Sequence, residues 1–357
     1  MSKSTRKYVI NIGLILLLTG VTIYLSVKDD FTGIVDMLAK VKVEWLVLSI
    51  LISLLYHVCV GYILKQFARI YRSDYTMKEG IVNALIAALF HGLTPSASGG
   101  QIVQAYVFHK QKIEVTDSAS ILLMDFIVYQ ATLVVYSFIL LVLRFQHIAQ
   151  AKSIVFHLAF LGFLVNLAVI IGLMLLAKSK WLHDFLTHKG VLFFAKLKMV
   201  KNPEEKVRSL EEKGVKFRQE LSRLGSHKPL MIKIIAANVV RLSLYNTIPY
   251  FALLALGTKL NLNGWFDLVA MSAFVGMVNA FIPSPGASGG TEGTYILMFQ
   301  SMFTYLPRSL AVGSMLIWRF VSFHLIMIVG VTTFILFKRR LQIKKMEVEL
   351  YENRIIQ

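Results

Sequence analysis

Long apolar runs separated by short polar segments recur along the chain. Six are about 20–29 residues long, enough to cross a hydrocarbon core about 30 Å thick. They are Tyr8–Val27, Trp45–Lys65, Ser118–Leu143, Ile154–Ala177, Met231–Leu256 and Ser309–Phe337. The runs are continuous rather than alternating at period two, so they predict helices and not barrel strands. Two further apolar regions, Gly80–His109 and Trp265–Phe303, are interrupted by Pro and Gly. The first divides at Pro95 into halves of about 15 residues, each short of the ~20 that a span requires. It reads as a re-entrant helical hairpin. The second, about 39 residues long, admits a hairpin or two tilted spans.

The two interruptions carry nearly the same residues. The first is Thr94-Pro95-Ser96-Ala97-Ser98-Gly99-Gly100-Gln101. The second is Pro283-Ser284-Pro285-Gly286-Ala287-Ser288-Gly289-Gly290-Thr291-Glu292-Gly293. Aligned on Pro95 and Pro285 they share Pro-x-Ala-Ser-Gly-Gly. Broken helices persist at membrane depth only where the freed backbone is buried in protein or lines a wet cavity. Interrupted segments at corresponding positions of two halves point to a transporter's binding site.

Composition agrees with the pattern. The chain is 56% hydrophobic and 16% charged, with a mean hydropathy of +0.64. The expectation is an all-α, polytopic helical membrane protein with inverted-topology repeats and two re-entrant hairpins. The lone Cys59 excludes an intrachain disulfide. A net charge of +18 raises the question of nucleic acid, but its placement follows the positive-inside bias. Basic residues cluster at Lys3–Lys7, Lys65–Lys78, Lys110–Lys112, Lys178–Lys228 and Lys338–Arg340. The Lys178–Lys228 stretch holds thirteen basic residues against six acidic ones. All five segments are expected to be cytoplasmic, both termini included, in a protein of the cell membrane. Lys28–Asp30, Arg144–Ser153 and Gly257–Gly264 fall outside. The first motif then dips in from the inside and the second from the outside, as an inverted repeat requires.

The first run has a basic start, as a signal peptide does. Its core exceeds the usual 7–15 residues and no small-x-small site follows, so it reads as an uncleaved anchor. The Lys178–Lys228 segment is amphipathic in places. It fits a helix lying on the inner leaflet or a solvated linker equally well.

Thr94–Gln101 with Ala105-Tyr106, and Ile282–Gly293 with Glu292-Gly293, resemble the lysylphosphatidylglycerol synthase transmembrane region, or flippase-like domain, family. That domain is the membrane half of the bacterial multiple peptide resistance factor, and it also occurs alone. The resemblance extends over about residues 8–340. One departure is Ile102, where many relatives carry proline. The family implies movement of an anionic or aminoacylated phospholipid, or a polyprenyl-phosphate glycolipid, between leaflets. It implies one domain over 1–340, with a first half 1–177, a basic linker 178–229, a second half 230–340 and a tail 341–357. After Lys338 only a short tail follows, so these residues do not support the lysyltransferase activity of the full resistance factor.

Candidate chemistry lies at the motifs and at four buried charges. Gly99-Gly100 and Gly289-Gly290 allow sharp turns before fresh helices, whose N-terminal N–H groups suit a phosphate. Ser96, Ser98, Gln101, Ser288 and Thr291 add polar groups. Arg241 and Arg319 each sit about ten residues into a span, near the bilayer centre at about 1.5 Å per residue. Asp125 and Glu292 lie at similar depth. A charge there costs at least about 2.5–3.5 kcal/mol unless paired or wetted. Two arginines could clamp a headgroup phosphate; alternatively they pair internally with Asp125 or Glu292. Either carboxylate is a candidate for proton coupling. His57, His91, His109 and His324 show no metal-site spacing, though His91 is placed to line a cavity.

No Walker A sequence, dinucleotide fingerprint or nucleophile elbow is present. No metal, cofactor or nucleic acid is expected. The leading expectation is a lipid flippase. The alternatives are a phosphatidylglycerol lysyltransferase-type enzyme, and a non-catalytic membrane partner of a lipid synthase or glycosyltransferase.

Overall fold

Thr76-Met77-Lys78-Glu79 is a capping box. The Thr76 side chain accepts from the Glu79 N–H at 3.3 Å, and the Glu79 carboxylate accepts from the Thr76 N–H at 2.8 Å. Local signals of this kind set the ends of helices whose middles are specified by apolar character. A computed structural model describes residues 31–94, 98–146, 153–178, 202–279, 282 and 284–356, with isolated positions 13, 17, 20, 21, 24 and 192. The Tyr8–Val27 run, residues 179–191 and 193–201 of the linker, Pro95–Ala97 and Pro283 lie wholly or largely outside these. The chain is an all-α polytopic membrane protein.

In order, the described helices are α1 (Phe31–Ala39), α2 (Val43–Ala68), α3 (Met77–Leu93), α4 (Ser98–Lys110), α5 (Val115–Leu143) and α6 (Ser153–Lys178). There follow α7 (Pro203–Ser226), α8 (Lys228–Ala255), α9 (Leu262–Asn279), α10 (Gly290–Met302), α11 (Arg308–Arg319), a π-helix (Phe320–His324) and α12 (Leu325–Ile356). Val43–Ala68, Val115–Leu143 and Arg308–Ile343 are long and apolar enough to cross a membrane. The segment predicted at Ser309–Phe337 is therefore one long crossing, interrupted by a π-turn that hydropathy alone does not signal. Met231–Leu256 falls almost wholly within α8, and Ile154–Ala177 within α6.

α8 is the hub, packing on α2, α5, α9 and α11. α9 is the innermost helix, with every residue from Asp267 to Val275 buried; a helix apolar all round belongs in a core. Helices approach closely at small residues. A side chain on Gly80 would run into the Gly61 carbonyl, which locks α3 against α2.

Polar contacts tie the loops together at the two ends of the molecule. Arg72 bonds Asp74, Glu79 and the Gln111 carbonyl, and Tyr71 donates to Glu220 of α7 at 3.0 Å. The loop after α2, the turn after α4 and α7 therefore share one end. α5 starts there and runs 29 residues, about 43 Å at 1.5 Å per residue. At its far end Arg144 pairs with Asp267 at 3.1 Å and donates to the Asn263 carbonyl at 2.7 Å. The basic stretches in the loop after α2, in the turn after α4 and in α7 thus meet at one end, with Arg144 and the start of α9 at the other; Lys3–Lys7 lies outside the described residues.

Candidate functional site

α3 ends where proline forces the preceding residue out of the helical region. Thr94 is extended, with φ −122° and ψ 143°. Its hydroxyl donates to the Phe90 carbonyl at 2.7 Å and accepts from the Gly99 N–H at 2.9 Å, so one side chain caps both helices. A side chain on Gly99 would collide with Thr94, and one on Gly100 with the His91 ring. α4 then folds back onto α3.

The second break repeats the device with different groups. Gly289 has φ 87°, a conformation that favours glycine. Its N–H donates to Glu292 Oε2 at 2.7 Å, closing the first turn of α10. Arg319 Nε donates to Glu292 Oε1 at 2.7 Å, and its Nη2 reaches the Gly286 carbonyl at 3.1 Å and Ser288 Oγ at 3.4 Å. Arg319 therefore ties the whole loop to the end of α11. The π-turn that follows brings Phe323 under the same guanidinium, 4.3 Å from ring centroid to carbon. Ser53 of α2 donates to the Val321 carbonyl of that turn at 3.1 Å.

The two breaks touch. A Cβ on Gly286 would lie 3.3 Å from the Gly92 carbonyl and would strike the Phe323 ring. Beside this junction lies a cavity of about 470 Å³, walled by His91, Asn279, Ala287, Thr291, Arg319 and Ser322 among others. A second lobe of about 240 Å³ reaches toward Gln101, Gln104, Asp125 and Phe126. Tyr56, His57, His91, Tyr129 and Arg241 line both lobes.

Arg241 stands at the join and is 6% exposed. Its Nη1 is 4.0 Å from Asp125 Oδ1, a loose pair. The guanidinium lies 4.1 Å from the Tyr129 ring centroid, a cation–π contact. Its Nε has no hydrogen-bond partner, and neither has Asp125 Oδ1 or Asn279 Oδ1. Buried polar atoms are almost always satisfied. Three unsatisfied ones around one cavity mark a place where a polar guest or water belongs. Pro249, inside α8, lacks the N–H that would reach the Tyr245 carbonyl, and Tyr245 also lines the larger lobe.

Residues 9–330 match the protein family described as Lysylphosphatidylglycerol synthase TM region. The chain belongs to that family. No curated protein matches the chain significantly. The family match runs from the first apolar run to just beyond the π-turn, so both Gly-Gly breaks and the cavity between them fall inside it.

Of the predicted site residues, Gln101, Asp125, Arg241, Thr291 and Arg319 line the cavity. Glu292 is 1% exposed and sits behind Arg319. Ser288 is buried against Arg319, and Gly99, Gly100, Gly289 and Gly290 shape the turns rather than the lining. The Gly99 and Gly289 N–H groups are engaged by Thr94 and Glu292, so these two amides are not open to a ligand. Ser96 lies outside the described residues, and of Ser98 only its helical backbone is described. Reading the sequence missed Tyr56, Tyr129, Tyr245 and Phe323. Aromatics are abundant throughout such a chain, and only the crossing of α2, α5 and α8 brings Tyr56 and Tyr129 over the Arg241 guanidinium and sets Tyr245 against Tyr56.

Proposed function

We propose that this protein moves a lipid with an anionic headgroup between leaflets. The headgroup occupies the cavity at Arg241 while the acyl chains stay in the bilayer. The classes that suit it are an anionic or aminoacylated phospholipid and a polyprenyl-phosphate glycolipid. The observation that carries this reading is Arg241: a buried guanidinium on the wall of a cavity large enough for a headgroup, loosely paired with Asp125 and with its Nε unbonded. An arginine fork matches phosphate geometry, and in a water-poor site that match is strong.

In this reading α3–α4 and α9–α10 are two re-entrant hairpins of opposite orientation. α4 and α10 have 13 residues each, about 20 Å, too short to cross the core alone. The basic end faces the cytoplasm of a cell membrane by the positive-inside bias. Rocking of the halves about the junction of the breaks exposes the cavity alternately. Leaflet exchange of fluorescent phosphatidylglycerol in proteoliposomes tests the reading. Arg241→Ala is expected to abolish exchange by folded protein; exchange at the wild-type rate would overturn it.

A further inference from the structure

At the basic end, α3, α4 and α12 enclose a separate hollow of about 430 Å³. Lys78, Lys110, Lys112 and Arg340 stand on its walls, with Arg72 deeper in. Arg72 is taken up by Asp74 at 2.9 Å and Glu79 at 2.8 Å. The other four cations have no carboxylate in pairing distance among the described residues. Five cations face two carboxylates, a net formal charge of +3 for the lining.

The hollow is built rather than draped on a loop. Lys112 has φ 64°, a left-handed turn that ends α4. That turn is pinned by Gln111, which is 7% exposed. Tyr75 donates to Gln111 Oε1 at 2.7 Å, and Gln111 Nε2 donates to the Glu79 carbonyl at 2.9 Å. Ile113, just beyond, is buried at 3%. Lys110 and Lys112 thereby line the same hollow as Lys78 and Glu79 of the first turn of α3.

Part of the hollow's lining is apolar: Val82, Phe337 and Leu341. α12 passes here from Leu325–Phe337 into Lys338-Arg339-Arg340, the change expected where hydrocarbon gives way to headgroups. The hollow is also cut off from the central cavity along the seam of α3 and α12. A Cβ on Gly330 would lie 2.8 Å from the Leu85 carbonyl, and the Phe90 and Phe334 rings meet edge to face at 5.4 Å.

We propose that this hollow holds the phosphate of a resident anionic phospholipid, its chains against Phe337 and Leu341, at a site separate from the central cavity. A free phosphate would gain nothing from the apolar lining, whereas a lipid in the adjoining leaflet uses both surfaces. The bound lipid clips α12 to the α3–α4 pair and stabilises that contact. The proposal stands whether or not the central cavity transports anything.

Native mass spectrometry of the full chain, released from nanodiscs of phosphatidylcholine with a minor share of phosphatidylglycerol, tests it. Wild type is expected to retain at least one phosphatidylglycerol in preference to phosphatidylcholine. The combined Lys78→Gln, Lys110→Gln and Lys112→Gln variant should bind it about a hundredfold more weakly. Arg340→Gln, a change on an exposed helix face, should weaken it severalfold even if the triple variant folds poorly. Arg241→Ala should retain it. Undiminished retention by the triple variant or by Arg340→Gln would overturn the proposal. So would loss in Arg241→Ala, or displacement of the lipid by inorganic phosphate.

Discussion

Arg319 donates from Nε to Glu292 Oε1 at 2.7 Å with both side chains buried, whereas Arg241 stands 4.0 Å from Asp125. The two buried arginines thus do different work. Arg319 is a strut: it holds Glu292, the Gly286 carbonyl and Ser288, and through Glu292 it secures the start of α10. Arg241 keeps a donor in reserve.

The strut should be expensive to break. Removing one partner of a buried ion pair strands the other charge, at a cost of about 3–5 kcal/mol. Arg319→Leu and Glu292→Leu should each lower thermal stability in detergent strongly, and the double substitution should recover part of the loss. Single variants as stable as wild type would show that the pair holds nothing.

Asp125 competes with any anion for Arg241. Asp125→Asn should strengthen binding of anionic lipid about fivefold to tenfold, near 1 kcal/mol for a loose pair in a partly wet site. The half-saturating phosphatidylglycerol fraction in the exchange assay measures this. An unchanged or raised value would mean that Asp125 does not occupy the guanidinium.

The motif glycines are not equivalent. Gly100 backs onto the His91 ring, and Gly286, at φ 60°, backs onto Phe323. Alanine at either should cost about 1–3 kcal/mol through displaced neighbours. Gly293 lies inside α10, and a Cβ added there would meet nothing within 4 Å. Gly293→Ala should therefore be neutral or stabilising by up to about 1 kcal/mol. Unfolding temperatures of the three variants decide it.

Outside the membrane, the hydrogen bond from Arg72 holds the Asp74 carboxyl below its usual pKa. A carboxyl lowered in the folded state contributes stability above its unfolded value, and that contribution is lost as pH falls through the folded value. Wild type should exceed Asp74→Asn in stability near neutral pH, and the gap should close as pH drops below about 4. A gap independent of pH would assign the effect to something other than this ionisation.

Much of this protein is written in one dimension. Continuous apolar runs require helices in lipid because no water is there to satisfy an open backbone. The same patterning marks α2, α5 and α12 and the basic stretches of the loop after α2, the turn after α4 and α7 that gather at one end. The two Gly-Gly breaks are equally legible, since prolines and glycines act within a few residues. Depth within a run flags Arg241, Arg319, Asp125 and Glu292. Partner choice is not legible: Arg319 and Glu292 are 27 residues apart, and only the packing of α10 on α11 decides that they pair while Arg241 remains weakly held. The π-turn at Phe320–His324, the cluster of tyrosines from α2, α5 and α8, and the sealed seam at Gly330 belong to the same class. Each depends on which helix faces lie against one another, and in lipid that choice comes from close packing and polar contact rather than from hydrophobicity, which is nearly uniform along these helices.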